Sequence, residues 1–299
     1  MKVLVTGVNG QLGYDVVKEL KKRGHNPVGV DREQMDLTVP SQIKECIQKV
    51  NPEAIIHCAA YTAVDAAEDN EELCRQVNAY ATRDIAQCAK KLDIPMIYIS
   101  TDYVFNGEKG LEDRNSQEVD ASRYLEYVES DKTNPQNIYG QTKLEGELYV
   151  KELLDKYYIV RISWVFGENG NNFIDTMIRL SKDREELNVI YDQIGSPTYT
   201  KDLAPILIDM IETDKYGIYH ATNEGFCSWY DFAKEIFKVA KVNINVNPIL
   251  TSQYPTKAKR PMNSKISKSK LKERGFNELP NWKDAVKNYL QVSNIMKGV

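Results

Sequence analysis

Lys2-Val3-Leu4-Val5-Thr6-Gly7-Val8-Asn9-Gly10-Gln11-Leu12-Gly13 decides the fold. The opening residues, apolar and largely β-branched, predict a short strand. Glycines then recur at every third position, and residues 12–23 carry helical spacing. Glycine permits a tight turn and close approach of another backbone. The helix start offers free N–H groups and a positive dipole end, which suit a pyrophosphate. Strand, glycine loop and helix in this order point to a dinucleotide-binding unit rather than a packing turn.

The same rhythm continues outward. Residues 26–30 predict a second strand, ended by Asp31, and 43–50 a helix. Residues 54–59 predict a buried strand and 71–92 a long amphipathic helix, with Val77, Ala81, Ile85 and Cys88 near one face. Strands at 95–100 and 158–164 bracket a helix at 139–154. Alternation with crossovers of this length implies parallel strands. The fold class is therefore α/β: a Rossmann-like doubly wound parallel sheet, with a smaller C-terminal substrate-binding lobe where the rhythm shortens. Residues 1–165 with 197–222 are assigned to the dinucleotide-binding domain, and 166–196 with 223–299 to the lobe. Such a sheet takes its ligand beyond the carboxyl ends of its strands.

Composition narrows the function. The chain has 299 residues, a formal net charge of -4 and 42% hydrophobic residues, ordinary for a globular protein. No apolar run approaches the roughly 18 residues of a bilayer span, so no membrane partner is expected. Net acidity argues against nucleic acid, and the basic stretch 257–274 lacks interleaved aromatics. Cys46, Cys58, Cys74, Cys88 and Cys227 fit neither a zinc site nor a redox pair, which predicts reduced structural thiols. The residues before the first strand are too few for a signal peptide, and a cytoplasmic location is expected.

Asp31 can accept hydrogen bonds from a ribose 2′-hydroxyl, as NADH requires. Arg32 beside it can pair with the 2′-phosphate of NADPH, so either cofactor remains open. Tyr139 and Lys143 stand four apart on one helical face. A free phenol has a pKa of about 10, and a neighbouring ammonium would lower it toward the working range. Thr101, at a strand end, supplies a hydroxyl for a carbonyl oxygen. These groups suit proton transfer to an oxygen while hydride arrives at its carbon.

At this point the sequence resembles the extended short-chain dehydrogenase/reductases, and among them the dTDP-4-dehydrorhamnose reductase family. The broad likeness rests on Gly7-x-x-Gly10-x-x-Gly13 and Tyr139-x-x-x-Lys143. The narrower one rests on His57-Cys58-Ala59-Ala60-Tyr61-Thr62-Ala63-Val64-Asp65, Ser100-Thr101-Asp102-Tyr103-Val104-Phe105 and Arg161-Ile162-Ser163-Trp164-Val165-Phe166-Gly167. Asp192-Gln193-Ile194-Gly195-Ser196-Pro197-Thr198 and Arg260-Pro261-Met262-Asn263-Ser264 complete it. The resemblance implies NAD(P)H-dependent reduction of the 4-keto group of dTDP-4-dehydro-6-deoxy-L-mannose to dTDP-L-rhamnose. It implies that Gly7, Gly10, Gln11 and Leu12, with Gly13, cradle the pyrophosphate, and that Asp36 and Leu37 sit by the adenine. Ala59, Ala60 and Tyr61 would line the ribose and nicotinamide side. Tyr139 would be the general acid, Lys143 would hold the nicotinamide ribose, and Thr101 would orient the keto oxygen. Asp102, Tyr103 and Trp164 would shape the sugar pocket, and Arg260 would clamp the substrate diphosphate. Some members bind a divalent cation at a dimer interface. By resemblance alone, then, a cation and a homodimer are raised; no metal ligands are read from the residues.

Other readings stay open: another nucleotide-sugar 4-ketoreductase, an epimerase, a dehydratase, or a regulatory subunit that binds dinucleotide without turnover. Dehydratases of this superfamily usually place Asp-Glu after the catalytic Thr, whereas Thr101 is followed by Asp102-Tyr103. Residues 107–134 are polar, carry eight acids and exceed the family's usual spacing. Residues 110–123 are expected to form a mobile loop near the substrate mouth or a subunit contact.

Overall fold

The computed structural model describes residues 1–111 and 124–293. Five strands, β1 (Lys2–Thr6), β2 (Asn26–Val30), β3 (Ala54–His57), β4 (Met96–Thr101) and β5 (Tyr157–Ile162), join Gly217–His220 in one sheet. Its order is Gly217–His220, β5, β4, β3, β1, β2, and every pairing is parallel. The inner strands are near-continuous apolar runs because both of their faces are covered. β2 is the exposed edge, and there Pro27 costs no central ladder bond.

The chain runs from β1 outward to β2 and then returns to the other side of β1 as β3. The loops after β1 and β3 therefore diverge and leave a crevice at the carboxyl ends of the strands. Helices Gln11–Lys22 and Thr200–Ile211 cover one face of the sheet through Leu12, Val16, Leu20, Leu203 and Leu207. Helices Pro40–Val50, Ala81–Leu92 and Ile138–Leu153 cover the other through Ile43, Ile47, Ile85 and Val150. The stretch expected as one helix over 71–92 is Glu71–Arg75, a π-helical turn Gln76–Tyr80, and Ala81–Leu92.

A second apolar cluster lies in the later segments. Ile174, Met177, Phe232, Phe237, Trp282 and Val286 bring together helices Phe173–Leu180, Trp229–Ala240 and Trp282–Val292. A small sheet of Cys227–Ser228, Ile194–Gly195 and Asn263–Ser264 stands beside it. Leu271, Phe276 and Leu279 instead join the apolar layer of the main sheet. The C-terminal segment is thus shared between two cores, because its apolar residues find the nearer of two apolar surfaces.

The expectation for residues 110–123 falls, apart from Gly110 and Leu111, outside the described residues. Just beyond that stretch, Tyr127 stacks on Phe105 at 4.2 Å and its backbone bridges to Ile266. Among the described residues no helix is long and apolar enough to cross a membrane.

Candidate active site

The crevice is two adjoining cavities. One, of about 870 Å³, lies over β1 and β2 and is lined by Gly7, Gly10, Asp31, Arg32, Asp36, Leu37, Ala59, Ala60 and Tyr61. The other, of about 600 Å³, also touches Gly7, Gly10, Ala59 and Ala60, with Gln11, Leu12 and Gly13. It reaches Thr101, Asp102, Tyr103, Tyr139, Lys143 and Trp164. Residues from the ends of five strands and from two helices are thereby collected at the switch point.

The glycines allow this close packing. A Cβ on Gly7, whose φ is +69°, would stand 2.8 Å from the Cα and N of Ala59. One on Gly13 would stand 2.3 Å from the carbonyl oxygen of Gly7. The helix that follows has Gly10 at its N-cap, a residue with no side chain to cap the first-turn N–H groups. Asp31 accepts hydrogen bonds from the side chain of Asn9 and from the backbone N–H of Glu33. Arg32 is largely exposed and donates to Asp36 at 3.3 Å.

Tyr139 stands in the first turn of Ile138–Leu153, where the side chain of Asn137 accepts from the Gly140 N–H at 2.8 Å. Its phenol reaches the Thr101 hydroxyl, and its ring meets Tyr103 edge-on at 5.5 Å. Thr101 ends β4; its hydroxyl donates to Asp102 Oδ1 at 2.9 Å and accepts from the Tyr103 N–H at 3.2 Å. Lys143 Nζ donates to the Ile99 carbonyl at 2.6 Å and lies 4.0 Å over the Tyr98 ring.

One expectation needs correction. Lys143 was expected to lower the Tyr139 phenol. Instead burial holds that phenol above its ordinary value, with the Asp102 charge acting the same way and Thr101 opposing. The ammonium is aimed at the β4 backbone, and burial pulls its own pKa down to about 7 against the pull of Glu147. A protonated phenol is the form a general acid needs. The Arg260 guanidinium makes a bidentate pair with Asp65, at 3.0 and 2.6 Å.

Sequence reasoning missed three supports. Asn78, in the π-helical turn, accepts from the Tyr61 N–H at 2.8 Å and donates to Thr142 Oγ1 at 3.2 Å. Its carbonyl accepts from Tyr98 and Thr82. π turns of this kind recur at functional sites. Below Lys143, Glu147 accepts from Ser100 and makes a two-point pair with Arg161 on β5, at 2.8 and 2.7 Å. At the end of β1, Thr6 Oγ1 and His57 Nδ1 lie 2.7 Å apart, and burial pushes His57 down to about 3, a neutral ring. The available signal was a polar residue on an otherwise buried stripe, as Asn78 is relative to Ile85 and Glu147 to Val150.

Trp164 is a bulky residue at φ +47°, an uncommon conformation. Its indole stacks on Trp229 at 3.6 Å, and Gly195 backs it. A Cβ on Gly195 would stand 2.8 Å from the indole, and the Trp229 stack leaves the ring little room to retreat. Gly195→Ala is therefore expected to raise the substrate KM about 10-fold while changing the cofactor KM by under about 2-fold, since one lost apolar contact is worth about 1–3 kcal/mol. Steady-state kinetics with each substrate varied in turn checks this.

A family model described as RmlD substrate binding domain matches residues 1–295. The chain belongs to this family. It is 40% identical over 300 residues to a dTDP-4-dehydrorhamnose reductase of Aggregatibacter actinomycetemcomitans, covering 96% of this chain and 97% of that one. It also resembles the crystal structure of dTDP-4-dehydrorhamnose reductase from Bacillus anthracis in complex with NADP. There the TM-score is 0.90 and the identity 41%, over 97% of this chain and 98% of that one. A Thermus thermophilus UDP-glucose 4-epimerase complexed with NAD shares the fold, at 17% identity and a TM-score of 0.81 over the full length of both chains. The crevice of this family member suits a dinucleotide. Its glycine loop has backbone-close contacts that a Cβ would fill, and its helix starts at a glycine that has no capping side chain.

Proposed function

We propose that this chain reduces the 4-keto group of dTDP-4-dehydro-6-deoxy-L-mannose to dTDP-L-rhamnose, using NADPH or NADH. The observation that carries the reading is the meeting of Tyr139, Thr101 and Lys143 with the glycine loop in one crevice. A reduced nicotinamide, when bound, supplies hydride to the carbonyl carbon. The chain's residues do the rest. Gly7, Gly10 and the N–H groups around Gln11 and Leu12 hold the pyrophosphate. Asp31 would accept from the adenosine ribose of NADH, and Arg32 would pair with the 2′-phosphate of NADPH. Lys143 positions the nicotinamide ribose. Tyr139, kept protonated by burial, gives its proton to the ketone oxygen as charge develops there. Trp164 and Tyr103 form the apolar walls against the sugar and exclude water.

A cytoplasmic setting, suggested by thiols without disulfide spacing, belongs to the same proposal. So does a homodimer, which rests on the family alone. The test is loss of NAD(P)H absorbance with the enzymatically generated 4-keto sugar and each cofactor. Stoichiometric oxidation of added NADPH or NADH is expected. Turnover with no net cofactor consumption would assign an epimerase instead, and binding without turnover a regulatory subunit.

A further inference from the structure

Residues 167–172, just before helix Phe173–Leu180, are built around one side chain of the glycine loop. A Cβ on Gly167 would stand 3.2 Å from Gln11 Cβ, and one on Gly170 would stand 3.2 Å from Gln11 Cγ. The two glycines thus leave room for the Gln11 stem. Asn169 donates to the Asn9 carbonyl at 3.0 Å. Asn172, buried at the N-cap of the helix, donates through Nδ2 to the Gly167 carbonyl at 3.2 Å, to the Tyr289 hydroxyl at 2.9 Å and to Gln11 Oε1 at 3.3 Å. Two of these neighbours settle which way the Asn172 amide points. A carbonyl only accepts, and the Tyr289 hydroxyl spends its hydrogen on Asp175 at 2.6 Å. The Asn172 oxygen faces away and takes the Asp175 N–H at 3.1 Å. The Gln11 atom that meets this donor is therefore its oxygen. The Gln11 NH2 group, with no partner among the described residues, is left to the cavity that Gln11 lines.

We propose that Asn172 is a positioning residue for the cofactor: by holding Gln11 Oε1 it turns the Gln11 NH2 group to the cofactor diphosphate, beside the N–H groups of the helix start. The proposal rests on the dinucleotide site above. An ionised diphosphate only accepts hydrogen bonds, and an NH2 group only donates them. The reversed amide would set an oxygen against the phosphate charge. Asn172 begins a helix that packs in the second core through Ile174 and Met177. Asn9, held by Asn169, in turn donates to Asp31. The later segments thus brace the glycine loop at Gln11 and at Asn9, and take part in cofactor binding.

Asn172→Ser keeps a side-chain oxygen to cap the helix and is too short to reach Gln11. Fluorescence titration with NADPH or NADH, whichever the wild type binds more tightly, should show Kd raised about 10-fold, the scale of one hydrogen bond to a charged group. Gln11→Ala should raise it by a similar factor. The double variant should bind no more weakly than Gln11→Ala alone, because Asn172 acts only through Gln11. Adenosine, which carries no diphosphate, should compete with unchanged affinity. If Asn172→Ser does not fold, Gln11→Glu decides: it keeps the oxygen that Asn172 holds, sets a second oxygen where the NH2 group was, and should bind the cofactor more weakly than Gln11→Ala. Losses that multiply in the double variant, a weakened adenosine, an unchanged cofactor Kd in Asn172→Ser, or a Gln11→Glu protein that binds as well as Gln11→Ala overturns the proposal. A wild type that binds neither NADPH nor NADH overturns the dinucleotide reading, and the proposal with it.

Discussion

Tyr139→Phe is expected to lower kcat for ketone reduction by roughly 10²- to 10⁴-fold, the scale of a positioned general acid, while NADPH binding holds within about 2-fold. The substitution deletes one oxygen and leaves the ring against Tyr103. Among the described residues the phenol's hydrogen-bond partner is the Thr101 hydroxyl, so the packing should survive. The phenol is buried and held in its protonated form, so at neutral pH nearly every molecule carries the proton that is transferred. Stopped-flow oxidation of bound NADPH by the 4-keto sugar gives the rate, and cofactor fluorescence titration gives the affinity. A variant within about 3-fold of wild type in kcat would remove Tyr139 from the reaction.

Glu147→Ala is expected to destabilise the fold by about 3–5 kcal/mol, the cost of leaving one member of a buried ion pair behind. The Glu147 and Arg161 side chains are 2% and 3% exposed. Both carboxylate oxygens are used, Oε1 by Ser100 and Arg161 Nε and Oε2 by Arg161 Nη2. Without them the guanidinium is stranded beneath β5. Glu147→Gln keeps the shape and some hydrogen bonds and should cost less. Urea unfolding with an unchanged m-value measures both. A second consequence concerns Lys143. The Glu147 charge favours its ammonium, so removing that charge should push Lys143 below about 7 and shrink its protonated fraction at neutral pH. A Glu147→Ala protein with near-wild-type stability would show that Arg161 finds another acceptor or reaches water.

Much of the site could be read along the chain because its signals are local. The glycine loop, the strand ends at Asp31, Ala59 and Thr101, and the Tyr139/Lys143 pair each depend on spacing within one element. The structure places all of them along one crevice. The role expected of Lys143 was not legible. A helical i, i+4 spacing says that two side chains share a face, not which acceptor the longer one finds, and Ile99 lies 44 positions away in the chain. Arg260 was read by its charge, but its acceptor, Asp65, is 195 positions away.

Order along the chain thus established the α/β alternation, the parallel crossovers and the residues at the strand ends, because periodicity and glycine stereochemistry act over a few neighbouring residues. Partners were settled only by folding. Asn78 acquired its bonds from a π turn, Glu147 met Arg161 across two elements, and Ser264 arrived beside Asp102 from 162 positions away. The physical reason is burial. Once water is excluded, each polar group must take whichever donor or acceptor the packed elements bring within reach, and that choice belongs to the three-dimensional arrangement.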